Sequence, residues 1–311
     1  MRAIVVRTVG GPEALELVDV PVPATAAGQV RVRVEAAAVN PVDAATRSGN
    51  LLSAGLMSPR EVIGLGRDVA GRVDEVGPGV TAFSPGDRVI GVRDRLDLSL
   101  GTYAEFVVLD ATAVAPAPAG LSAVEAATLP LNGLTALQAL DLLDPEPGAT
   151  LLVTGAAGAV GGYAVELAAL RGLRVVASAA AGDEAFVRAA GARWFVPRSA
   201  DLAEAVRALV PGGVDAALDA AVVGIRALGA VRNRGAFVSV VGGAAPVPLR
   251  GITVAQQWIA ADADALARLS SLAGTGQLTV RVADTLPLHE AAQAHRRLAE
   301  GGIRGRLVLV P

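Results

Sequence analysis

The chain has no cysteine and no lysine, only two histidines, and few aromatics: two tryptophans, two tyrosines and five phenylalanines. Without cysteine there is no disulfide, no thiol nucleophile and no thiolate-held metal, and cysteine usage cannot report the redox compartment. Every basic residue apart from the histidines is arginine, which a GC-rich coding bias explains as readily as any function. Long apolar runs are also missing. Hydrophobic residues make up 52% of the chain and the mean hydropathy is +0.50, but alanine supplies much of both. Charges interrupt every stretch before about 18 apolar residues accumulate, so no membrane-spanning helix is expected. A net charge of −3, with no cluster of basic residues, argues against a nucleic-acid partner. The start, Met1-Arg2-Ala3-Ile4-Val5-Val6-Arg7, reads as a strand without a signal-peptide cleavage pattern, and a cytoplasmic location is the expectation.

What is present is glycine in a telling place. The apolar run Leu151-Leu152-Val153-Thr154 passes into Gly155-Ala156-Ala157-Gly158-Ala159-Val160-Gly161-Gly162 and then into a helix-like segment. Strand, tight turn and helix start are what a dinucleotide pyrophosphate needs. The match to G-x-G-x-x-G is partial: Gly158 and Gly161 take the second and third places, and Ala156 takes the first. Gly158 would let the phosphates approach the backbone, and Gly161 would let the helix pack on the strand. The candidate cofactor contacts here are Gly155, Ala157, Gly158, Ala159 and Val160. A packing turn in a chain rich in glycine and alanine is the plain alternative.

A length of 311 residues suits two domains better than one. Residues 1–120 read as β-rich, with short alternating segments such as 30–35 and 70–76 separated by Gly/Pro turns at Gly10-Gly11-Pro12, Gly77-Pro78-Gly79 and Ser84-Pro85-Gly86-Asp87. This spacing suggests a barrel or rolled sheet. From about residue 121 helices alternate with apolar strands: a helical run over 122–142, then strands at 150–154, 173–178, 194–196, 214–219 and 236–241. That alternation predicts a doubly wound parallel sheet covered on both faces. Helices are expected at 262–273 and 288–300, and strands at 278–282 and 306–310. The tail would return to the first domain. The expected organisation is therefore a discontinuous domain of residues 1–120 and 258–311 and a nucleotide-binding domain of residues 121–257.

Taken in order, several segments resemble the zinc-free quinone oxidoreductase branch of the medium-chain dehydrogenase/reductase superfamily. They are Met1-Arg2-Ala3, Ala38-Val39-Asn40-Pro41-Val42-Asp43 with Arg47-Ser48-Gly49, Gly66-Arg67-Asp68-Val69-Ala70-Gly71, and Val76-Gly77 with Gly86-Asp87-Arg88-Val89. Further on come Gly101-Thr102-Tyr103-Ala104-Glu105-Phe106, Leu129-Pro130 with Gly133-Leu134-Thr135-Ala136, the glycine loop, and Arg304-Gly305-Arg306-Leu307-Val308. The resemblance implies an α/β chain with a GroES-like β-rich catalytic domain and an inserted Rossmann domain, a cleft between them, and a homodimer formed through the edge of the nucleotide-domain sheet. The zinc-dependent cousins hold zinc with Cys and His. This chain lacks those cysteines, and His289 and His295 lie six apart without ligand-pair spacing, so no metal site is expected and a helix packed on the barrel is the reading for both. Alcohol oxidation then becomes the less expected chemistry, and reduction of a quinone, enone or enal the more expected.

In an NAD-preferring site an acidic residue about 20 positions after the glycines binds the ribose 2′-OH, and it would repel a 2′-phosphate. Here the strand ends in Ser178, which points to NADPH. The positive partner is Arg198, with Arg304 as a second candidate; a solvated surface arginine is the alternative for Arg198. Asp183 reads as a helix cap. The resemblance carries further cofactor contacts onto Asn40, Thr135, Val241 and Gly242, and makes Asn40 the main polar residue of the catalytic cleft. Asn40 fixing the turn before Pro41, and Thr135 capping or packing a helix, are the structural alternatives. A tyrosine that many quinone reductases carry after this Ser-Gly is replaced by Asn50-Leu51-Leu52, and neither Tyr103 nor Tyr163 is assigned as a proton donor. The apolar stretch 51–57 would line a pocket for a small hydrophobic electrophile. The alternatives to a quinone or enone reductase are a biosynthetic enoyl reductase and an NADPH-binding protein without turnover.

Overall fold

The computed structural model describes residues 1–96 and 99–311. They fall into two compact units: Met1–Leu131 with Ala260–Gly276 and Val280–Pro311, and Asn132–Ile259 with Gln277–Thr279.

The second unit is built on a six-stranded, wholly parallel sheet. From one edge its strands run Trp194–Pro197, Arg174–Ala179, Thr150–Thr154, Val214–Asp219, Val231–Ser239 and Thr253–Gln256. In chain order this is 3-2-1-4-5-6, the doubly wound arrangement, with its topological switch between the first and fourth strands. Thr150–Thr154 is buried at every position, as expected for a central strand covered on both faces. Leu152, Val176, Val196, Val206, Phe237 and Ile252 join one core cluster. The sixth strand was not foreseen, because Thr253-Val254-Ala255-Gln256 is short, half-exposed and without a strong apolar pattern. The fifth begins earlier and ends earlier than the expected 236–241. The helical run expected over 122–142 is two helices, Ala123–Ala126 and Pro130–Leu143. Pro130 has no N–H to continue a helix and disfavours helical backbone at the residue before it.

In the first unit, a seven-stranded sheet has the order Val282–Pro287, Arg306–Val310, Gln29–Ala38, Asp68–Val76, Arg88–Val92 and Val114–Pro116, with Phe106–Asp110 also paired to Gln29–Ala38. A smaller sheet joins Glu16–Asp19, Arg2–Val6 and Ile63–Gly64. Val30, Val32, Val34 and Ala36 turn inward from Gln29–Ala38 while Arg31, Arg33 and Glu35 turn out, the alternation of a sheet with one buried face. The strand expected at 278–282 lies instead at Val282–Pro287. Residues Gln277–Thr279 are held by the other unit: Leu278 is buried, and the Thr279 N–H donates to the Glu166 carboxylate at 3.1 and 3.2 Å.

Candidate active site

The glycine turn leaves the strand Thr150–Thr154 at Gly155, whose φ of +59° is left-handed, and enters the helix Ala159–Leu170 with Gly158 as its N-cap. Gly158 itself has no side chain to cap that helix. A Cβ on Gly161 would lie 2.1 Å from the Gly155 carbonyl oxygen, so only glycine lets the helix approach the strand this closely. Among the described residues, a Cβ on Gly158 would meet only the Gly155 oxygen, at 3.0 Å, and would otherwise occupy open space over the turn. A helix N-terminus opening on a glycine turn with room over its backbone has the chemistry of a phosphate site. The residues present therefore fit a dinucleotide: Gly155 to Val160 would hold its pyrophosphate.

The end of the second strand is tied to this turn, since the Ala156 N–H donates to the Ser178 carbonyl at 3.0 Å. Arg198 lies beside the same end: its N–H donates to the Ala179 carbonyl at 2.8 Å, and its side chain is exposed. Val241 and Gly242 follow the fifth strand, where the Val240 N–H donates to the Asp219 carbonyl at 3.2 Å. A Cβ on Gly242 would come within 2.6 Å of the Trp258 ring. Thr135 is half-buried on the helix Pro130–Leu143, whose Gln138 accepts a 2.9 Å bond from Gln257, just past the sixth strand. The sequence-nominated residues of this unit thus gather at the C-terminal ends of the parallel strands or on a helix bonded there. Arg304, exposed, and Asn40 belong to the other unit.

Between the first and fourth strands, Thr154 and Asp219 are register partners. The Thr154 hydroxyl donates to Asp219 Oδ1 at 2.5 Å and accepts the Ala220 N–H at 3.1 Å. The fully buried Asp219 carboxyl also takes the N–H groups of Ala221, Val223 and Gly224, at 3.2, 3.1 and 2.7 Å. Inside this turn Val222 has φ +55° and is 57% exposed. Left-handed backbone at a β-branched residue costs about 1–3 kcal/mol and persists only where surrounding bonds impose it.

In the β-rich unit, Asn40 is fully buried, and its Nδ2 donates to Asp68 Oδ2 at 2.6 Å and weakly to the Ala38 carbonyl at 3.4 Å. Asp68 also accepts the Leu131 N–H at 2.6 Å, and burial pushes its carboxyl up to about 7. Asp43 accepts the Asn40 N–H, the Gly66 N–H and the Tyr103 hydroxyl, at 2.9, 3.2 and 3.0 Å. Burial raises the Asp43 carboxyl above its ordinary range against the opposing charge of Arg67. Arg67, itself buried, donates to Thr46 Oγ1 at 3.2 Å and to the Arg95 carbonyl at 2.9 Å. Arg47 Nη1 lies 3.3 Å from His295 Nδ1, and His295 stands edge-on to Tyr103 with ring centroids 6.0 Å apart. Because a guanidinium only donates, His295 Nδ1 accepts and Nε2 carries the proton of the neutral ring. Burial first, and then Arg47, pushes His295 down to about 4. His289 is exposed. Among the described residues no group of three or more His, Cys, Asp or Glu side chains is placed to hold a metal ion. Leu51, Leu52 and Met57 pack against the core of this unit, and Leu56 is 40% exposed.

Two family models match the chain, "Alcohol dehydrogenase GroES-like domain" over residues 26–119 and "Zinc-binding dehydrogenase" over residues 190–309. A quinone oxidoreductase from Coxiella burnetii superposes over 100% of this chain and 99% of its own, with 31% identity and a TM-score of 0.89. The chain belongs to the quinone oxidoreductase branch of the medium-chain dehydrogenase/reductase superfamily. Other full-length likenesses in this superfamily differ in their cofactor. A structure described as an NAD-dependent alcohol dehydrogenase has 34% identity, a TM-score of 0.88 and 100% coverage of both chains. A mycobacterial protein solved with NADPH has 32% identity, a TM-score of 0.84 and the same coverage. The chloroplast envelope quinone oxidoreductase homolog of Arabidopsis thaliana is 40% identical over 190 residues, 59% of this chain and 56% of the relative. The alignments thus span about half the length of such curated relatives: 56% again for the spinach homolog.

Within this superfamily chain, Asp68, Asp219 and Thr154 were not nominated from sequence. Asp68 stood in a quoted family segment, and Asp219 at the end of an expected strand. For Asp219 the available signal was a carboxylate closing an apolar strand, because a buried acid needs a partner.

Proposed function

We propose that the chain is an NADPH-dependent, metal-independent oxidoreductase that reduces a quinone or an α,β-unsaturated carbonyl compound. The observation that carries this reading is the end of the second strand: Ser178, not an acid, is bonded through its carbonyl to the glycine turn, with Arg198 bonded next to it. A neutral hydroxyl tolerates a 2′-phosphate, and Arg198 offers it a cation. Bound NADPH supplies a hydride, which a conjugated acceptor takes up together with a proton from water to complete a two-electron reduction. The amides at the start of Ala159–Leu170 hold the pyrophosphate, and Thr135, Val241 and Gly242 bound the rest of the dinucleotide. Asn40 orients the nicotinamide, its own amide fixed by Asp68. Arg304 is a second partner for the phosphates. The missing cysteines remove the thiolate ligands of zinc-dependent relatives, so orientation and exclusion of water do the work that a Lewis acid does there.

In this reading the protein acts in the cytoplasm as a homodimer joined through the strand Thr253–Gln256, the edge of the parallel sheet. That edge pairs with one neighbour in the sheet, and Val247 and Leu249, just before it, are 73% and 48% exposed. The test is oxidation of NADPH and NADH by purified protein with a benzoquinone, a naphthoquinone and a medium-chain 2-enal. Turnover with NADPH and quinone supports the reading. Turnover with the enal alone moves the function to enoyl reduction, and NADPH binding without turnover overturns the catalytic part.

A further inference from the structure

The first and fourth strands of the parallel sheet are stapled twice by the same pair of residue types. At one end Thr150 donates through its N–H and hydroxyl to Asp215 Oδ2, at 2.8 and 2.7 Å, and takes the Asp215 N–H on its own oxygen at 3.0 Å. At the other end, four residues on, Thr154 and Asp219 make the corresponding bond at the topological switch point. Only the second staple reaches further: its carboxyl gathers three amides of the turn through Gly224 and imposes the left-handed backbone of Val222. That turn lies against the glycine turn, where a Cβ on Gly155 would meet Ala221 Cβ at 3.1 Å and the Ala220 oxygen at 3.2 Å.

In a parallel sheet of order 2-1-4, a dinucleotide with adenosine ribose at the second strand and pyrophosphate at the first extends its other half over the fourth. We propose that Thr154 and Asp219 are positioning residues that hold the Val222 turn in a strained conformation, fixing in advance the wall of the crevice on which the nicotinamide half of the cofactor is laid. Neither side chain touches the cofactor; they act through the backbone of residues 220–224. The proposal rests on the reading of this chain as a dinucleotide enzyme. Every bond that imposes this backbone is made within the chain itself, so in this account the ordering cost of the wall does not fall on cofactor binding.

Thr150 provides the internal control, since its staple serves the same two strands away from the glycine turn. The experiment compares Thr154→Val, Thr154→Ser, Thr150→Val and Val222→Gly with wild type, reading NADPH affinity by fluorescence titration and cofactor-free melting temperature. Thr154→Val is expected to weaken NADPH binding about ten-fold, and Thr154→Ser to restore it. Thr150→Val is expected to lower the melting temperature with NADPH affinity kept. Val222→Gly is expected to raise the melting temperature, because glycine adopts this backbone freely, and to loosen NADPH several-fold. Equal NADPH affinity in the folded Thr154→Val and Thr150→Val proteins overturns the proposal and leaves the staple merely structural. Wild type that binds neither NADPH nor NADH instead overturns the dinucleotide reading beneath it.

Discussion

The parallel-sheet unit sets out its candidate contacts with backbone: a turn of small residues, a helix start at a glycine N-cap, and one buried carboxyl that ties a neighbouring turn through its amides. The β-rich unit works with ionisable side chains, for Asp43, Arg67, Asp68, Tyr103, Arg47 and His295 are all buried and hold one another or nearby backbone. The difference teaches where each unit is sensitive. Backbone sites tolerate pH and fail when a Cβ is added; buried ionisable networks tolerate small changes of volume and fail when a charge is added or removed.

The largest effect should come from the network. Asp43→Ala removes the acceptor of three donors and the largest of the charges opposing Arg67, at an expected cost of about 3–5 kcal/mol in urea unfolding. A loss under about 1 kcal/mol would equate the two units.

Next comes pH. Asp68 titrates at about 7 when folded against an ordinary 3.8, so the native state holds the extra proton and stability falls as pH rises from 3.8 to 7. His295 titrates at about 4 against 6.5, so the unfolded state holds the extra proton and stability falls as pH drops from 6.5 to 4. The two slopes oppose each other across their shared range, each on the order of a few kcal/mol. Asp68→Asn should unmask a stability that climbs with pH over that range, and His295→Gln one that declines. Unchanged slopes in both variants would remove the network's claim to pH sensitivity.

Gly161→Ala tests the backbone side: overpacking against Gly155 is expected to cost about 1–3 kcal/mol in thermal unfolding and to abolish measurable NADPH binding. Smaller still, Arg198→Ala should weaken NADPH about ten-fold while NADH affinity holds. The smallest effect belongs outside both sites. The exposed i,i+4 pair of Arg188 and Glu184, at 2.8 Å, is expected to contribute about 0.3–0.5 kcal/mol, read as the loss in Glu184→Ala.

The same contrast explains what could be read from the chain. The glycine turn, the strand ending at Ser178 and the alternation of strands and helices are local patterns, visible within a dozen residues. The buried network is not local: the Asp43–Tyr103 pair spans 60 residues and the Arg47–His295 pair 248. No periodicity announces such partners. His295 was foreseen on a packing helix, but its neighbours were not. The strand Thr253–Gln256 escaped notice because its pairing, rather than its composition, makes it a strand. Pro130, which divides the run expected over 122–142, was in plain view as a helix breaker.

The most direct measurement is an equilibrium titration of the wild-type protein with NADPH and, separately, NADH at neutral pH, followed by nucleotide fluorescence. With Ser178 at the end of the second strand and Arg198 bonded beside it, NADPH is expected to bind at least about ten-fold more tightly. Equal affinities, or a preference for NADH, would contradict the account.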